Sequence, residues 1–525
     1  MFSCKMAFTL CLFVSLFAPV THAQMASISG TVTDQTGAVV PHTKVSARSD
    51  ETGFSRSMET DDSGTYRVSS LSPGTYDVLI EKAGFKAVAF SRVKLSVDQV
   101  LTLDARLAPS AITEKVTVSG ESVAPVNLND AQIGNVVSSQ QISDLPLVLR
   151  NPYQLVLLSP GAVQSNSLLQ GFSVNGSRER NNNFLLDGTD NNDAEIPGLS
   201  QPQPGLTSLN PDAVQEFRVL TNNFLPEFGR NTGAVIDIVS KRGTNDFQFD
   251  LYWFGRYDAL GARDFFNHQL DSTGNPVPKD SYVRNTFGGS AGGPIKRDRT
   301  FWFANYEGER FATTLTNTTT VPSAAFKTGN LSFSGQPIDV STQGSPNNIF
   351  GLPLDPTIQQ ILALYPSPNG PNVDDARGLL FYPSASTTIG NNVTAAVDHR
   401  FTVNENLAIR YTLNRFEDPN IAHTDFLPGL GGTGTLQRRQ NASLHLTSIL
   451  GQRLVNELRF GGNRINFPLT CQGLEVFDRF SQLDSFGRGL DFPLPGVSGF
   501  GCLFLVDRDN SKRFSGTYTL GDAVT

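Results

Sequence analysis

The chain has 525 residues and a net charge of -8 from 41 basic and 49 acidic side chains. This length predicts more than one domain, and the mild negative charge excludes a dedicated nucleic-acid-binding protein, which would need a basic surface. Charged residues make up only 17%, whereas 47 Gly, 37 Phe and 30 Pro far outnumber six His and four Met, which favours turns and aromatic strands over helices.

Residues 1–23 have the pattern of a secretory signal peptide. Lys5 supplies a basic start, an apolar run follows over residues 6–20, and small residues precede a predicted cleavage between Ala23 and Gln24. The run is too short for a transmembrane helix, although an uncleaved anchor is an alternative. We therefore expect export from the cytoplasm.

Export permits a disulfide in the mature chain, which keeps Cys471 and Cys502. Two unrelated buried thiols agree equally well with the sequence, so the pairing stays open. No later stretch has about 18 consecutive apolar residues. Any membrane-spanning part must then be built from β-strands.

Residues 24–109 contain short alternating stretches such as "ASISGTVTD" and "GTYDVLIEKAGF", separated by Gly, Pro and Asp. This spacing predicts a small β-sandwich of the immunoglobulin or transthyretin type. The stretches "GTVTDQTGAVVPHTKV", "DDSGTYRVSSLSPGTYDV" and "AGFK" resemble the carboxypeptidase regulatory-like domain. The chain lacks His-Glu-x-x-His, and no His is followed by Glu three positions later, which excludes a zinc peptidase. The resemblance implies a non-catalytic module with a carbohydrate-binding-like fold, and sugar binding is left open.

Residues 110–141 form a predicted linker around Val116, Thr117 and Val118. This segment is strand-prone but flanked by charge, Gly and Pro, so it is a poor core strand. It is either a plain linker or an extended segment that adds itself to the sheet of a partner.

Residues 142–241 contain three stretches in a fixed order: "ISDLPLVLRNPYQLVLLSPGA", "NNNFLLDGTDNN" and "EFGRNTGAVIDIVSKRGTN". Together they resemble the plug domain of TonB-dependent outer-membrane receptors of the Oar-like type. The resemblance implies that Val116, Thr117 and Val118 form a TonB box, which binds a TonB-type energy-transducing protein of the inner membrane. It also assigns four residues to the plug motif: Arg178, Arg180, Asp187 and Gly188.

The pieces of the predicted plug agree with a small α+β domain. Asp187-Gly188 suits a tight turn, residues 235–240 alternate like a half-buried strand, and a short helix should begin at Pro211 and lead into a strand. We expect Phe184 to Leu186 to be buried and the neighbouring Asn, Arg and Asp side chains to face water.

Two interpretations of the polar plug residues follow. Asp187, Asp190, Asn192 and Asp193 do not have the spacing of an EF-hand, so no calcium site is predicted and they are interpreted as solvated turn residues. Arg178 and Arg180 either bind substrate or hold the plug against the surrounding wall, and we favour the second.

Residues 242–525 change to long alternating stretches such as "DFQFDLYWFGRYDAL" and "NLAIRYTLNRFE". In the latter, the apolar set Leu407, Ile409, Tyr411 and Leu413 interleaves with Ala408, Arg410, Thr412 and Asn414. A membrane β-barrel and a soluble sandwich both give this alternation. The stretch "NTFGGSAGGPIKRDRTFWFANYEGER" resembles the early barrel of Oar-like receptors and favours the barrel.

Residues 288–292 match the Gly-x-Ser-x-Gly pattern of a hydrolase around Ser290. That nucleophile elbow needs a helix directly after the serine, but Gly293-Pro294 follow. No phosphate-binding loop occurs either. We therefore predict no enzyme, and no catalytic, cofactor-binding or metal-binding residue.

The sequence shows about six convincing barrel strands, whereas receptors of this type have about 22. Residues 313–390 look mostly loop-like, and the chain stops without a terminal aromatic residue. We therefore expect a fragment whose barrel is incomplete.

The predicted fold is mainly β: an N-terminal β-sandwich in the periplasm, an α+β plug, and the first part of an antiparallel barrel in outer-membrane lipid. The predicted function is energy-coupled uptake of an extracellular siderophore, glycan or peptide through rearrangement of the plug. The alternative is a non-transporting surface protein for adhesion or carbohydrate binding through the N-terminal domain.

Overall fold

A computed structural model describes most of the chain after the predicted signal peptide. The described residues are 25–97, 99–109, 115–119, 132–145, 147, 150–165, 171–193, 207–224, 228–229, 231–263, 274–276, 279–333, 336–339, 356–420, 433–451, 454–471 and 512–524. Ala23, Gln24 and Cys502 lie outside these ranges, so the cleavage site stays a prediction and the pairing of Cys471 with Cys502 stays open.

The N-terminal β-domain consists of two facing sheets. Its strands are β1 (Ala26–Asp34), β2 (Lys44–Ser49), β3 (Ser55–Glu59), β4 (Thr65–Leu71), β5 (Gly74–Glu81), β6 (Ala87–Leu95), β7 (Val100–Thr102), β8 (Ala105–Leu107) and β9 (Lys115–Ser119). One sheet has the order β4-β1-β7, with β8 also paired to β1, and the other has the order β3-β2-β5-β6-β9. Alternate residues of each strand point between the sheets and form one apolar core within residues 26–107.

The second unit is built around a five-stranded sheet, called the plug sheet, in the order β10-β15-β16-β13-β14. Its elements are β10 (Ile133–Ser138), α1 (Ser139–Asp144), a 3₁₀ helix (Pro152–Leu158), β11 (Ala162–Gln164), β12 (Phe172–Val174), a 3₁₀ helix (Glu179–Asn181), β13 (Asn183–Leu186), β14 (Thr189–Asp190), a 3₁₀ helix (Pro211–Ala213), β15 (Val214–Asn222) and β16 (Val235–Ser240). Ser138 and Gln141 form a capping box that fixes the start of α1. The predicted helix at Pro211 is a single 3₁₀ turn, and the predicted strand follows it directly.

The prediction that residues 235–240 form a half-buried strand is wrong. Strand β16 lies in the middle of the plug sheet between β15 and β13, and both of its faces are covered. Asp237 is buried together with Ile236 and Ile238. Alternation in the sequence predicted the strand itself, but not that packing from a second side would cover the polar face.

The third unit is an eight-stranded antiparallel sheet, called the wall sheet, in the order β17-β18-β19-β22-β23-β24-β25-β26. Its elements are β17 (Gln248–Tyr257), a 3₁₀ helix (Asp258–Leu260), β18 (Ser281–Lys296), β19 (Thr300–Pro322), α2 (Ala324–Thr328), β20 (Asn330–Phe333), β21 (Gln336–Asp339), α3 (Pro356–Leu364), β22 (Arg377–Thr402), β23 (Glu405–Asp418), β24 (Thr433–Leu450), β25 (Leu454–Cys471) and β26 (Lys512–Val524). Every strand pairs with its predecessor in this order, as in an up-and-down barrel wall.

The wall sheet has an apolar outer face and a polar inner face. On β23 the side chains of Ile409 and Tyr411 are exposed on the outer face, whereas Thr412 and Asn414 are buried on the inner face. Exposed apolar residues continue this outer face on other strands, among them Phe249, Leu251, Trp253, Val397, Phe460 and Leu520. The predicted fold class, mainly β with the first part of a barrel, is confirmed.

The interpretation of residues 313–390 as mostly loop is wrong at both ends. Strand β19 continues to Pro322, and β22 begins at Arg377, where the two strands are still paired in register. The half of β19 that leads to Pro322 and the half of β22 that begins at Arg377 are rich in Thr and Ser on both faces. These halves therefore lack an apolar alternation. β-branched Thr nevertheless suits an extended strand that continues beyond an apolar band.

The two ends of the wall sheet differ in their connections. At one end the connections are residues 297–299, 403–404 and 451–453, and at the other end they are residues 258–280, 323–376, 419–432 and 472–511. Outer-membrane barrels have short periplasmic turns and long extracellular loops. The short-turn end, which also contacts the N-terminal β-domain, is therefore the periplasmic end.

Candidate functional site

The plug sheet packs against the inner face of the wall sheet through both apolar and polar contacts. Phe303 and Ala396 of the wall are part of the same apolar core as the plug residues. Polar contacts add to this core. The backbone N–H of Ser208 donates to Asn414 Oδ1 at 2.8 Å, and Asn414 Nδ2 donates back to the Ser208 carbonyl at 2.9 Å. Asn463 Nδ2 donates to the carbonyl of Asp190 at 2.7 Å. The plug is thus attached to several strands of the wall.

Arg150 forms the most concentrated polar contact between plug and wall. Its Nε lies 2.8 Å from Glu307 Oε2 on β19, and its Nη2 pairs with Asp212 of the plug. Tyr252 Oη donates to the same Glu307 oxygen at 2.9 Å, and the guanidinium lies 4.5 Å from the Tyr252 ring centre and 4.6 Å from that of Phe254. Burial alone would lower the pKa of Arg150, but the carboxylates of Glu307 and Asp212 raise it, so the side chain stays charged.

Sequence reasoning did not single out Arg150. The available signal was its position as the one charged residue within the apolar stretch "LPLVLRNPYQLVLL". A lone charge in such a stretch is expected to be paired, because an unpaired buried charge is costly.

Asp187 and Gly188 form the predicted tight turn between β13 and β14. Both residues have positive φ, 47° for Asp187 and 68° for Gly188, as a two-residue hairpin turn requires. The Asp187 carboxylate is not solvated, however. It is buried and accepts hydrogen bonds from the Ser240 backbone N–H at 2.8 Å and from Ser240 Oγ at 2.9 Å, joining the turn to the end of β16. Burial raises the pKa of this carboxyl, and Arg410 of the wall partly opposes the increase.

The interpretation of the neighbouring polar residues as solvated is also wrong for Asn192 and Asp193, which are buried. Asn192 Oδ1 accepts from the Phe184 N–H at 3.0 Å, and Asp193 Oδ1 accepts from Ser515 Oγ of the wall at 3.1 Å. Short polar side chains can form the hydrogen bonds that a neighbouring strand would otherwise form with the backbone. The same residue types are common in turns, so composition does not distinguish the two roles.

Asp187→Ala is expected to loosen the β13–β14 turn. The substitution removes two hydrogen bonds and leaves the buried Ser240 N–H without its acceptor, at a cost of about 1–3 kcal/mol. Asp187→Asn is the matched control, because Asn tolerates positive φ and keeps an acceptor oxygen. Hydrogen exchange of the Ser240 and Thr189 amides should accelerate in the first variant only, and equal exchange in both would contradict the assigned role.

Arg178 and Arg180 are both exposed at the 3₁₀ turn before β13. Within the described ranges neither side chain forms an ion pair or a hydrogen bond to the wall sheet. Among the described residues, Arg150 rather than these two contacts the wall sheet, and whether Arg178 and Arg180 bind substrate or hold the plug stays a prediction. Their membership of a plug motif stays a prediction.

The candidate TonB box, Val116 to Val118, lies in strand β9. Its backbone pairs in parallel with β6 of the N-terminal β-domain, in a register that joins Ala87 to Lys115 and Ser91 to Ser119. Sequence reasoning predicted that this segment could add itself to a sheet, but not that the sheet would belong to the same chain. The role as a TonB box stays a prediction.

The described residues give no indication of a catalytic or metal centre. Ser290 lies inside the continuous strand β18, opposite Asp250 and Asn305, and no helix follows it. No cluster of three or more His, Cys, Asp or Glu side chains in the described ranges could hold a metal ion. Among the same residues, no helix is long and apolar enough to cross a membrane.

A polar plug seated on the inner face of an apolar-outside strand wall defines an outer-membrane barrel protein with an internal plug. Residues 239–525 match the family described as "Outer membrane beta barrel domain", and the chain belongs to this family. Residues 27–108 match the carboxypeptidase regulatory-like domain. These matches indicate that the protein is located in the outer membrane.

The chain is similar to the "TonB-dependent transporter Oar" of Myxococcus xanthus, with 28% identity over 304 residues. The similarity covers 55% of this chain but only 27% of that transporter. The resemblance to Oar-like TonB-dependent receptors is confirmed, and this relative is a transporter rather than an enzyme.

Two solved structures are similar to this chain at low identity. The outer-membrane transporter YddB of Escherichia coli has a TM-score of 0.42 and 13% identity, and the match covers 64% of this chain and 39% of that one. The ferric enterobactin receptor PfeA of Pseudomonas aeruginosa has a TM-score of 0.41 and 12% identity, and the match covers 74% and 45%.

Proposed function

We propose that this protein is an outer-membrane receptor that takes up an extracellular ligand by energy-coupled rearrangement of its plug. The observation that carries the proposal is the seating of the plug on the wall sheet. A mixed set of hydrogen bonds and ion pairs holds it there, in addition to an apolar core. The neutral hydrogen bonds of this set can be exchanged for water when the plug moves, because their net contribution is about 1 kcal/mol each.

We assign one role to each of the domains predicted from the sequence. Residues 24–109 are a periplasmic accessory domain, 110–141 connect it to the plug and contain the docking strand, 142–241 are the plug, and 242–525 contribute to the barrel. A TonB-type energy-transducing protein of the inner membrane would bind Val116, Thr117 and Val118 by adding a strand of its own. The proposed ligand classes are siderophores, cobalamin, glycans and peptides.

Deletion of residues 112–120 in the whole protein is expected to abolish energised uptake. Without this segment the inner-membrane partner has no strand to pair with, whereas the barrel and plug are unchanged. Uptake of ferric siderophores, cobalamin, oligosaccharides and peptides would be measured separately in energised cells. A variant in which residues 122–130 are replaced by Gly and Ser at equal length is the control and should transport normally.

The same deletion distinguishes the transport hypothesis from the adhesion hypothesis. A surface protein that binds glycans through its N-terminal β-domain would keep its binding without residues 112–120. Uptake that survives the deletion would contradict the assignment of the docking strand.

A further inference from the structure

The N-terminal β-domain and the plug are attached to the wall in different ways. The core of the N-terminal β-domain contains only its own residues, from 26 to 107, whereas the core of the plug includes Phe303 and Ala396 of the wall. Domains joined through small polar interfaces are expected to move relative to one another. The N-terminal β-domain is therefore the unit that can leave as a rigid body.

Several polar contacts hold this domain at the periplasmic end of the wall. Arg242 Nη2, just after the plug sheet, lies 3.3 Å from Glu51 Oε2 and donates to the Pro73 carbonyl at 3.0 Å. Ser70 Oγ donates to Glu457 Oε1 on β25 at 3.1 Å. On the side of the domain, these contacts come from loops or strand ends.

Two further contacts complete the attachment. The guanidinium of Arg400, at the end of β22, lies 4.9 Å from the ring centre of Phe54. On the plug side, the Val97 N–H donates to Glu216 Oε2 on β15 at 2.9 Å. Burial raises the pKa of the Glu216 carboxyl, and the Val97 hydrogen bond is the largest opposing contribution. The domain thus contacts wall and plug at once.

A cavity lies where the three units meet. Asp187 and Ser240 of the plug, Arg410 and His445 of the wall, and Ser72 and Pro73 of the N-terminal β-domain contribute to its lining. The lining combines these charged and polar groups with apolar side chains such as Val239 and Leu446. Ser72 and Pro73 place the N-terminal β-domain on the periplasmic side of this cavity.

Strand β9 belongs to the closing domain and not to the plug. It is the outermost strand of the order β3-β2-β5-β6-β9, and no described strand pairs with its other edge. An open edge presents backbone donors and acceptors to an incoming strand. The neighbouring β6 continues into Val97, the residue that contacts Glu216 of the plug.

We propose that the N-terminal β-domain is a gate over the periplasmic end of this cavity, and that β9 is the handle on which an inner-membrane partner pulls. A strand of the partner pairs with the open edge of β9 while β9 stays paired with β6. The pull then separates the domain from the wall and opens the cavity to the periplasm. This inference rests on the proposed function, because it takes the partner to be the TonB-type protein.

A reversible covalent lock tests the gate. A Cβ on Gly53 would lie 2.1 Å from Oδ1 and 3.1 Å from Cγ of Asp298, so a Gly53→Cys/Asp298→Cys pair lies within reach of a disulfide across the interface. The reporter is Ala408→Cys, which lines the cavity, in a background with Cys471→Ala and Cys502→Ala. Its labelling by a membrane-impermeant maleimide is followed site by site by mass spectrometry in isolated outer membranes.

When the periplasmic domain of the TonB-type partner is added and pulled, labelling at position 408 should rise several-fold in the unlocked protein. The oxidised lock should abolish that increase, and reduction should restore it. Because Gly53 has positive φ, a short bis-maleimide across Ser70→Cys/Glu457→Cys provides a second lock. Equal labelling with and without either lock would overturn the gate.

A third lock tests the handle. Ala89→Cys/Thr117→Cys joins register partners of β6 and β9. If the partner pulls the whole domain through β9, labelling at position 408 is unchanged by this lock. If β9 must leave β6 first, the lock abolishes both partner binding and labelling, which would overturn the handle. Failure of the unlocked protein to bind the partner at all would instead contradict the proposed function.

Discussion

Arg150→Leu is expected to detach the plug from β19 and to make the barrel leaky. The substitution keeps apolar bulk beside Tyr252 and Phe254, but it leaves the buried Glu307 and the neighbouring Asp212 without their cation. Removing one partner of a buried ion pair costs about 3–5 kcal/mol, because the remaining charge is left uncompensated in a low-dielectric site. Cells that produce the variant should become sensitive to a large hydrophilic antibiotic.

The control is Arg377→Leu, which removes an exposed ion pair with Asp374 at the extracellular end of β22. Exposed pairs contribute little, so this variant should behave like the wild type. Hydrogen exchange in β15 provides a second measurement, and it should accelerate only in the Arg150 variant. Unchanged permeability and exchange in Arg150→Leu would show that the plug does not depend on this contact.

Val397→Arg is expected to prevent stable insertion of the wall into a bilayer. Val393, Val397 and Phe401 lie on the outer face of β22, and Val397 is between the other two. Phe401 is close to the periplasmic turn at residues 403–404, whereas Tyr306 and Asn391 form a polar contact near Val393. Val397 is therefore near the middle of the apolar band.

An arginine on the lipid face costs about 2–4 kcal/mol at the bilayer midplane and about 0–1 kcal/mol near the interface. Phe401→Arg is thus the matched control on the same strand and face. Denaturant-dependent folding into lipid vesicles should show a large loss for Val397→Arg and a small one for Phe401→Arg. Equal losses at both depths would contradict the assignment of this face to lipid.

The outer parts of the fold were predictable from sequence because their alternation is simple. On β23 one side faces lipid and the other faces the plug, so the alternation of Ile409 and Tyr411 with Thr412 and Asn414 predicted both faces. The inner parts were harder. Asn192 looks solvated in sequence and residues 235–240 look half-buried, but a second layer of protein covers Asn192 and both faces of that strand. The hydropathy pattern of one strand does not show whether elements distant in sequence pack over its polar side chains.

The candidate site shows the same limit. The Asp187-Gly188 turn was predictable because positive φ restricts the residue types. The partners Glu307 of Arg150 and Ser240 of Asp187 are distant in sequence, so pairing them needs the fold. The parallel pairing of β9 with β6 was not predictable either, because the strand propensity of Val116 to Val118 does not specify which strand they pair with.

The most direct test of the account is a cross-linking scan of the docking strand. Single cysteines placed in turn at positions 115 to 119 would be combined with single cysteines in the TonB-type protein, in cells with and without the proton gradient. We predict cross-links within this segment, with alternate positions favoured because alternate residues of a strand share a face. Cross-links elsewhere in the periplasmic part of the chain, with none at positions 115 to 119, would contradict energy coupling through β9.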